Sequence, residues 1–184
     1  MISRWRTKTA WLTNLLLATM ACSGCGYALA GQGSFLPDHV QTIGVPLFEN
    51  TTTVFEVEQN LTRQVRSEFI GRGRLRVIAA DTGVDAVLDG TISSVTITPA
   101  TFDAQQQASR YIFTLSAALQ FRDLVTGEII WENPALTFSD EYEVASGPGG
   151  QLDASTFFGQ QSNAMERVAR DFARTVVSSI LEAF

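Results

Sequence analysis

The sequence predicts an α+β fold, in which two helices pack on one face of a mixed four- to five-stranded sheet in the order strand, helix, strands, helix. Three observations carry that prediction. Val57, Leu61, Val65 and Phe69 recur every four residues, which places one apolar stripe along a helix. From Tyr111 through Phe113, Leu115, Ala117, Leu119 and Phe121 every second residue is apolar or small, against Thr114, Ser116, Gln120 and Arg122. That is the period of a strand with one buried face. Met165, Val168, Ala169, Phe172, Val176, Ile180 and Phe184 form a second and broader helical stripe at the end of the chain, with Glu166, Arg167, Arg170, Arg174 and Glu182 outside it.

The elements follow in order. Residues 42–48, Thr-Ile-Gly-Val-Pro-Leu-Phe, make a first strand, with Pro46 placed on an edge or at the strand's end because it has no N–H to donate. Asn50 and three threonines form a loop, and Thr53 with Glu56 has the spacing of a capping box at the start of the first helix. Gly71 and Gly73 end that helix. Residues 75–78 are a short strand, and 85–99 a longer one. Within the longer strand Leu88 and Ile92 share one parity while Val95 and Ile97 share the other, so a bulge is expected near Ser93-Ser94. The run Asp123-Leu124-Val125-Thr126-Gly127 folds the Tyr111–Phe121 strand back as an antiparallel hairpin, with Gly127 available for positive φ. The return arm, 128–131, is interrupted at Asn133-Pro134 and resumed by Leu136, Phe138 and Tyr142. Residues 146–151 are a glycine-proline loop. The last helix begins either near Asp153 or Ser155 or, because Gly159 weakens the first turns, at Ser162.

The N-terminus has the layout of an export signal. Arg4, Arg6 and Lys8 form a positive n-region, residues 10–21 are almost wholly apolar, and Ser23-Gly24 put small residues before Cys25. The apolar stretch is shorter than the roughly 20 residues a spanning helix needs. Residues 1–24 are therefore expected to be a lipoprotein signal peptide, 25–40 a lipidated Gly-rich tether, and 41–184 a single α+β domain. Cys25 is the expected lipid anchor, with Cys22 as the alternative. Acylation of Cys25 leaves no second cysteine for a disulfide, a thiolate nucleophile or a zinc cluster.

Removing 24 residues leaves 160 of the 184, enough for one core. The remaining part holds ten arginines, no lysine and 19 acids, a net charge of −9, which argues against nucleic acid as a general partner. No set of residues converges on catalysis. His39 is the only histidine and lies beside Asp38 in the tether, where a solvated position is expected rather than a metal or general-base role. Asp140 falls on the opposite strand face from Glu141 and Glu143, so these acids make no carboxylate pair and are expected to be a solvated strand end. Ser146-Gly147-Pro148-Gly149 lacks the lysine and the following helix start of a phosphate loop. The sequence therefore predicts no enzyme, no cofactor and no metal. One cluster remains, Arg63, Arg66, Arg72, Arg74 and Arg76. Guanidinium pairs well with phosphate, which makes Arg72, Arg74 and Arg76 candidate contacts for lipid phosphates. Arg63 and Arg66 could equally form surface pairs with Glu56, Glu58 and Glu68 on their own helix.

Cys25-Gly26-Tyr27 with Leu29, the Ile43-Gly44-Val45-Pro46 strand followed by Phe48 and Asn50-Thr51, and the Leu61-Thr62 helix closing at Gly71 together resemble one family. The Asp85-Ala86-Val87-Leu88-Asp89-Gly90 strand, the 123–131 hairpin and the Ala-rich last helix extend the resemblance over the whole mature chain. That family is the LPS-assembly lipoproteins, also called LptE or rare lipoprotein B. The resemblance implies a protein on the periplasmic face of the outer membrane, held by its N-terminal lipid. It implies insertion into the lumen of a large LptD-like β-barrel, where such proteins help the barrel assemble and help deliver lipopolysaccharide to the cell surface. Gly26, rather than an aspartate, after the anchor cysteine is compatible with that destination. Cys22 stands where the family commonly shows leucine. The polar loops at 101–109 and 146–151 are expected to contact the barrel wall or the lipid. A second class stays open, an envelope lipoprotein that activates a cell-wall enzyme or serves as a secretion-system subunit.

Overall fold

A computed structural model describes residues 36–72, 75–102, 108–143 and 154–182. The elements are β1 (Thr42–Gly44), β2 (Glu49–Asn50), α1 (Val57–Gly71), β3 (Arg76–Ile78), β4 (Ala86–Phe102), β5 (Ala108–Asp123), β6 (Ile129–Glu143) and α2 (Ala154–Leu181). The strands form one mixed sheet in the order β3-β1-β4-β5-β6, and the two-residue β2 pairs with β4 beside that path. β1 is parallel to both β3 and β4, whereas β4–β5 and β5–β6 are antiparallel. The expected α+β fold with two helices and a mixed sheet is what the chain adopts.

The first strand is shorter than the alternation suggested. β1 stops at Gly44, the Val45–Phe48 segment leaves the ladder, and the chain returns to β4 as β2 at Thr91 and Ile92. Pro46 lies in that gap, so a residue without an N–H sits beyond the end of a central strand rather than inside it. The gap also carries Phe48 into the core, where it packs edge-on to Phe172 with ring centroids 6.5 Å apart. Gly90 makes the space: a Cβ there would lie 2.9 Å from Phe48 Cδ1 and 2.8 Å from Leu119 Cδ2.

α1 buries Val57, Leu61, Thr62, Val65 and Phe69, the expected stripe with one threonine added. Its start differs from the expected capping box. Glu56 occupies the N-cap in the left-handed region, φ 64°, and no side chain caps the helix. Asn50 organises the approach instead: its Oδ1 accepts from Thr52 N–H at 2.9 Å, and its Nδ2 donates to Val54 O and to Glu58 Oε2, each at 2.8 Å. An Asx-type turn therefore takes the place of the cap.

β4 carries the expected irregularity, a register shift between Ile92 and Ser94. The extra residue returns Val95 and Ile97 to the face of Leu88 and Ile92, opposite Leu115 and Phe113. β5 behaves as its alternation predicts, with Phe113, Leu115, Ala117, Leu119 and Phe121 buried. Gly127 takes φ 77° in the hairpin turn. The interruption at Asn133-Pro134 is a bulge inside one continuous β6, since Leu136 still faces Ala117 and Asn133 faces Leu119.

α2 takes the long form and runs through Gly159. Val168, Ala169, Phe172, Val176 and Ile180 are buried and Met165 packs against the same core, while Phe184 lies outside the described residues. Phe172 meets Phe138 of β6 edge-on at 5.7 Å. Leu36 and Val40, from the stretch just before β1, are buried in this core as well.

Candidate interaction surface

The alternation that buries one face of β5 leaves the other paved with short polar side chains. Thr114 and Ser139 hydroxyls meet at 3.1 Å, Ser116 and Thr137 at 2.9 Å, and Ser93 Oγ donates to Ser116 O at 3.2 Å. These rungs run across β4, β5 and β6 because residues facing one another across antiparallel strands share a face. Toward the hairpin end the surface becomes charged: Arg122 donates to Gln120 at 2.6 Å and lies 3.9 Å from Asp89. A shallow depression of about 280 Å³ opens between Asp89, Thr91, Ala118, Gln120, Glu132 and Pro134, where Ala118 supplies no bulk. At the other end Arg110 bridges Glu143 at 2.5 Å and Glu141 at 3.7 Å. Such a face is suited to lying against another polar, hydrogen-bonding wall.

The acids at the end of β6 are paired rather than merely solvated. Besides the Arg110 contacts, Asp140 accepts from Arg167 of α2 at 2.6 and 2.7 Å. Asp140 does point away from Glu141 and Glu143, as its parity requires: it stands opposite Phe113, on the helix-covered face.

His39 is an exposed turn residue, as expected, but it has a partner that the sequence did not reveal. Its Nε2 lies 2.7 Å from Asp123 Oδ2, and Asp123 is only 1% exposed. Burial pushes the Asp123 carboxyl up, but the N–H groups of Thr126 and Val125 and the His39 ring outweigh it, and the group is held below its ordinary value. Asp85 accepts from Thr42 N–H at 2.7 Å and Gln41 N–H at 2.9 Å, and these two bonds hold its carboxyl below the usual range. The two carboxylates thus tie the segment before β1 to the ends of β4 and β5. Sequence spacing could not have found this pair, because 84 positions separate His39 from Asp123.

Of the arginines expected to meet lipid phosphates, Arg72 stands at the C-terminus of α1, where it donates to Glu68 at 3.2 Å, Glu182 at 3.3 Å and Ser178 at 2.8 Å. Arg76 is the exposed first residue of β3, the last strand of the path on that side. Arg74 and Cys25 lie outside the described residues, as do Cys22, the signal segment, the whole of the 146–151 loop and residues 103–107 of the 101–109 loop, whose described ends belong to β4 and β5. Among the described residues no group of three His, Cys, Asp or Glu could hold a metal ion, and no helix is long and apolar enough to cross a membrane.

Three solved structures share this architecture. The rare lipoprotein B of Shewanella oneidensis is 12% identical, over 74% of this chain and 92% of that one, with a TM-score of 0.53. An uncharacterized lipoprotein B from Nitrosomonas europaea, solved by NMR, is 12% identical over 86% of this chain and 94% of that one, at 0.54. The PelC dodecamer of Paraburkholderia phytofirmans contains a chain 14% identical over 81% of this chain and 95% of its own length, at 0.53. At these identities the likeness is one of fold, which hosts more than one role. No curated protein matches the sequence. The family model described as LptE, lipopolysaccharide-assembly, matches residues 40–180, from the end of the segment that holds His39 nearly to the end of α2. The chain belongs to the LptE lipopolysaccharide-assembly family.

Proposed function

We propose that this protein is an outer-membrane lipoprotein, anchored through acylated Cys25 on the periplasmic face, that plugs an LptD-like lipopolysaccharide-export barrel and helps it assemble and deliver its lipid. Membership of the LptE family supports the assignment to lipopolysaccharide assembly. The observation that carries the plug itself is the hydroxyl-paved sheet face formed by Thr114, Ser116, Thr137 and Ser139. The lumen side of an outer-membrane barrel is polar, and a plug must offer hydrogen-bonding groups to it rather than an apolar patch. In this reading the helices seal the core on one side while the open face of the sheet meets the barrel wall. No catalytic step is assigned, since the role is one of occupancy and guidance.

The same reading gives Arg72, Arg74 and Arg76 the part of phosphate contacts for the lipid. Replacing all three with glutamine is then expected to weaken lipopolysaccharide binding in vitro, and unchanged binding removes them from that role. The proposal as a whole is tested by affinity purification of the tagged, detergent-extracted protein from its native envelope, with mass spectrometry of the partner and of the N-terminal peptide. Recovery of a large outer-membrane barrel together with an acylated Cys25 is expected. Recovery of a peptidoglycan synthase, or of the protein with itself alone, overturns it.

A further inference from the structure

Six arginines of the described residues, Arg72, Arg110, Arg122, Arg167, Arg170 and Arg174, form ion pairs. Arg76 forms none, and neither do Arg63 and Arg66. The carboxylates that the sequence offered them are engaged elsewhere or left aside: Glu58 accepts from Asn50, Glu68 accepts from Arg72, and Glu56 has turned into the left-handed N-cap. In a chain with an excess of acids, two guanidinium groups one turn apart on α1 thus have no carboxylate partner among the described residues.

They are also held in place. Arg66 Nε donates to Val45 O at 2.8 Å, which fixes its plane beside the β1–β2 connection and leaves its terminal nitrogens for a ligand. Arg63 is oriented by the Asn60 amide oxygen. Both line an open groove of about 530 Å³ with Gln59, Thr62, Ser67 and two exposed aliphatic side chains, Leu47 at 57% and Ile70 at 61%. From Gln59 to Ile70 the helix rises about 16 Å, the span of about five extended residues.

We infer that this groove docks an extended, acidic segment of a protein partner, one that brings carboxylates to Arg63 and Arg66 and an aliphatic side chain to Leu47 or Ile70. The charge on the groove asks for an anion, and two positioned guanidiniums suit carboxylates in bidentate contact. The groove is open to solvent, so an acyl chain laid in it would keep much of its surface in water. A hydrocarbon would also cover the exposed polar side chains of Gln59 and Ser67 without giving them hydrogen bonds, whereas a peptide backbone supplies both donors and acceptors. This inference rests on the plug reading for the identity of the partner, the barrel protein, but concerns a surface on the outer flank of α1 rather than the open sheet face.

The test uses the full-length protein purified with its barrel partner, carrying a photoreactive benzophenone side chain at Gln59 or Ser67, alongside affinity measurements on Arg63→Glu, Arg63→Glu with Arg66→Glu, and Leu47→Asp. Arg63→Glu touches only a surface contact and keeps the test valid if the double variant folds poorly, and thermal melts identify that case. Expected are a cross-link to an acidic stretch of the barrel protein, at least a tenfold loss of affinity in Arg63→Glu, and binding that weakens with salt. Unchanged affinity in Arg63→Glu and Leu47→Asp, with cross-links only to neutral or basic stretches, overturns the inference and leaves the plug reading intact. A cross-link to lipopolysaccharide alone overturns it in favour of a lipid groove. Failure of the unaltered protein to co-purify with any barrel removes the plug reading, and this inference with it.

Discussion

Three glycines separate close packing from loop freedom at the scale of single residues. A Cβ on Gly44 would stand 2.1 Å from Ala80 O, a backbone atom that cannot move aside, whereas one on Gly90 would press on the Phe48 and Leu119 side chains, and one on Gly71 would meet nothing within 4 Å. Overpacking costs about 1–3 kcal/mol and occasionally more. Gly44→Ala is expected at or beyond the upper end of that range, Gly90→Ala within it, and Gly71→Ala close to neutral, with denaturant midpoints as the measurement. A reversed order for Gly44 and Gly71 refutes the packing account. The carboxylates at the start of β4 and the end of β5 contribute to the acid response. Asp85 and Asp123 are held below their ordinary value of 3.8 in the folded state. Each therefore contributes stability that is present above the unfolded value and is lost as pH falls through the folded one. Melting temperatures should decline from about pH 4 downward, and Asp85→Asn should be less stable at neutral pH and show a flatter decline. An equally steep decline in Asp85→Asn excludes Asp85 as a contributor.

Elements bring in register. In β4 the extra residue at Ser93 keeps Val95 and Ile97 on the buried face, opposite Leu115 and Phe113. Deleting Ser93 removes the bulge without changing which side chains face the helices, so the variant is expected to fold with a small change in melting temperature. Deleting Thr96 moves Ile97 and every residue after it to the opposite face, because strand side chains alternate with a period of two, and is expected to destabilise the domain strongly. Comparable melting temperatures for the two deletions would contradict the assigned phase. The change of parity from Leu88 and Ile92 to Val95 and Ile97 made this bulge legible in the sequence. The start of α1 was not legible in the same way. Thr53 and Glu56 have the right spacing for a cap, but Asn50 reaches Thr52, Val54 and Glu58 and bends the chain into a turn that puts Glu56 at φ 64°. Spacing states which residues can meet, and the competing side chain decides which do.

The described residues form a sheet with one helix-covered and one open face, and the two faces should respond differently to substitution. Thr114→Trp and Ser116→Lys on the open face are expected to leave the melting temperature within a few degrees of the parent while lowering recovery of the barrel partner. Phe172→Ala, beneath the other face, should cost about 3–5 kcal/mol. Loss of barrel recovery for Phe172→Ala alone would point to folding rather than to the open face. The arginines show why a cluster in sequence is not a cluster in space. Arg72 is drawn to Glu182 and Ser178 across to α2, while Arg63 and Arg66 remain uncompensated along one groove.

The sequence by itself determined the two helices, the long alternating strand, the hairpin at Gly127, the bulge at Ser93 and the family. Each of these is written in short-range periodicity, turn chemistry or the order of motifs, all of which act between residues a few positions apart. Only the tertiary structure decided that β1 would be central and end before Pro46, that His39 would reach Asp123 over 84 positions, and that Glu58 and Glu68 would leave Arg63 and Arg66 without counter-charges. Those outcomes depend on which distant groups the folded chain brings within hydrogen-bond distance. A side chain with several possible partners takes the one that packing presents, and no local pattern records that choice.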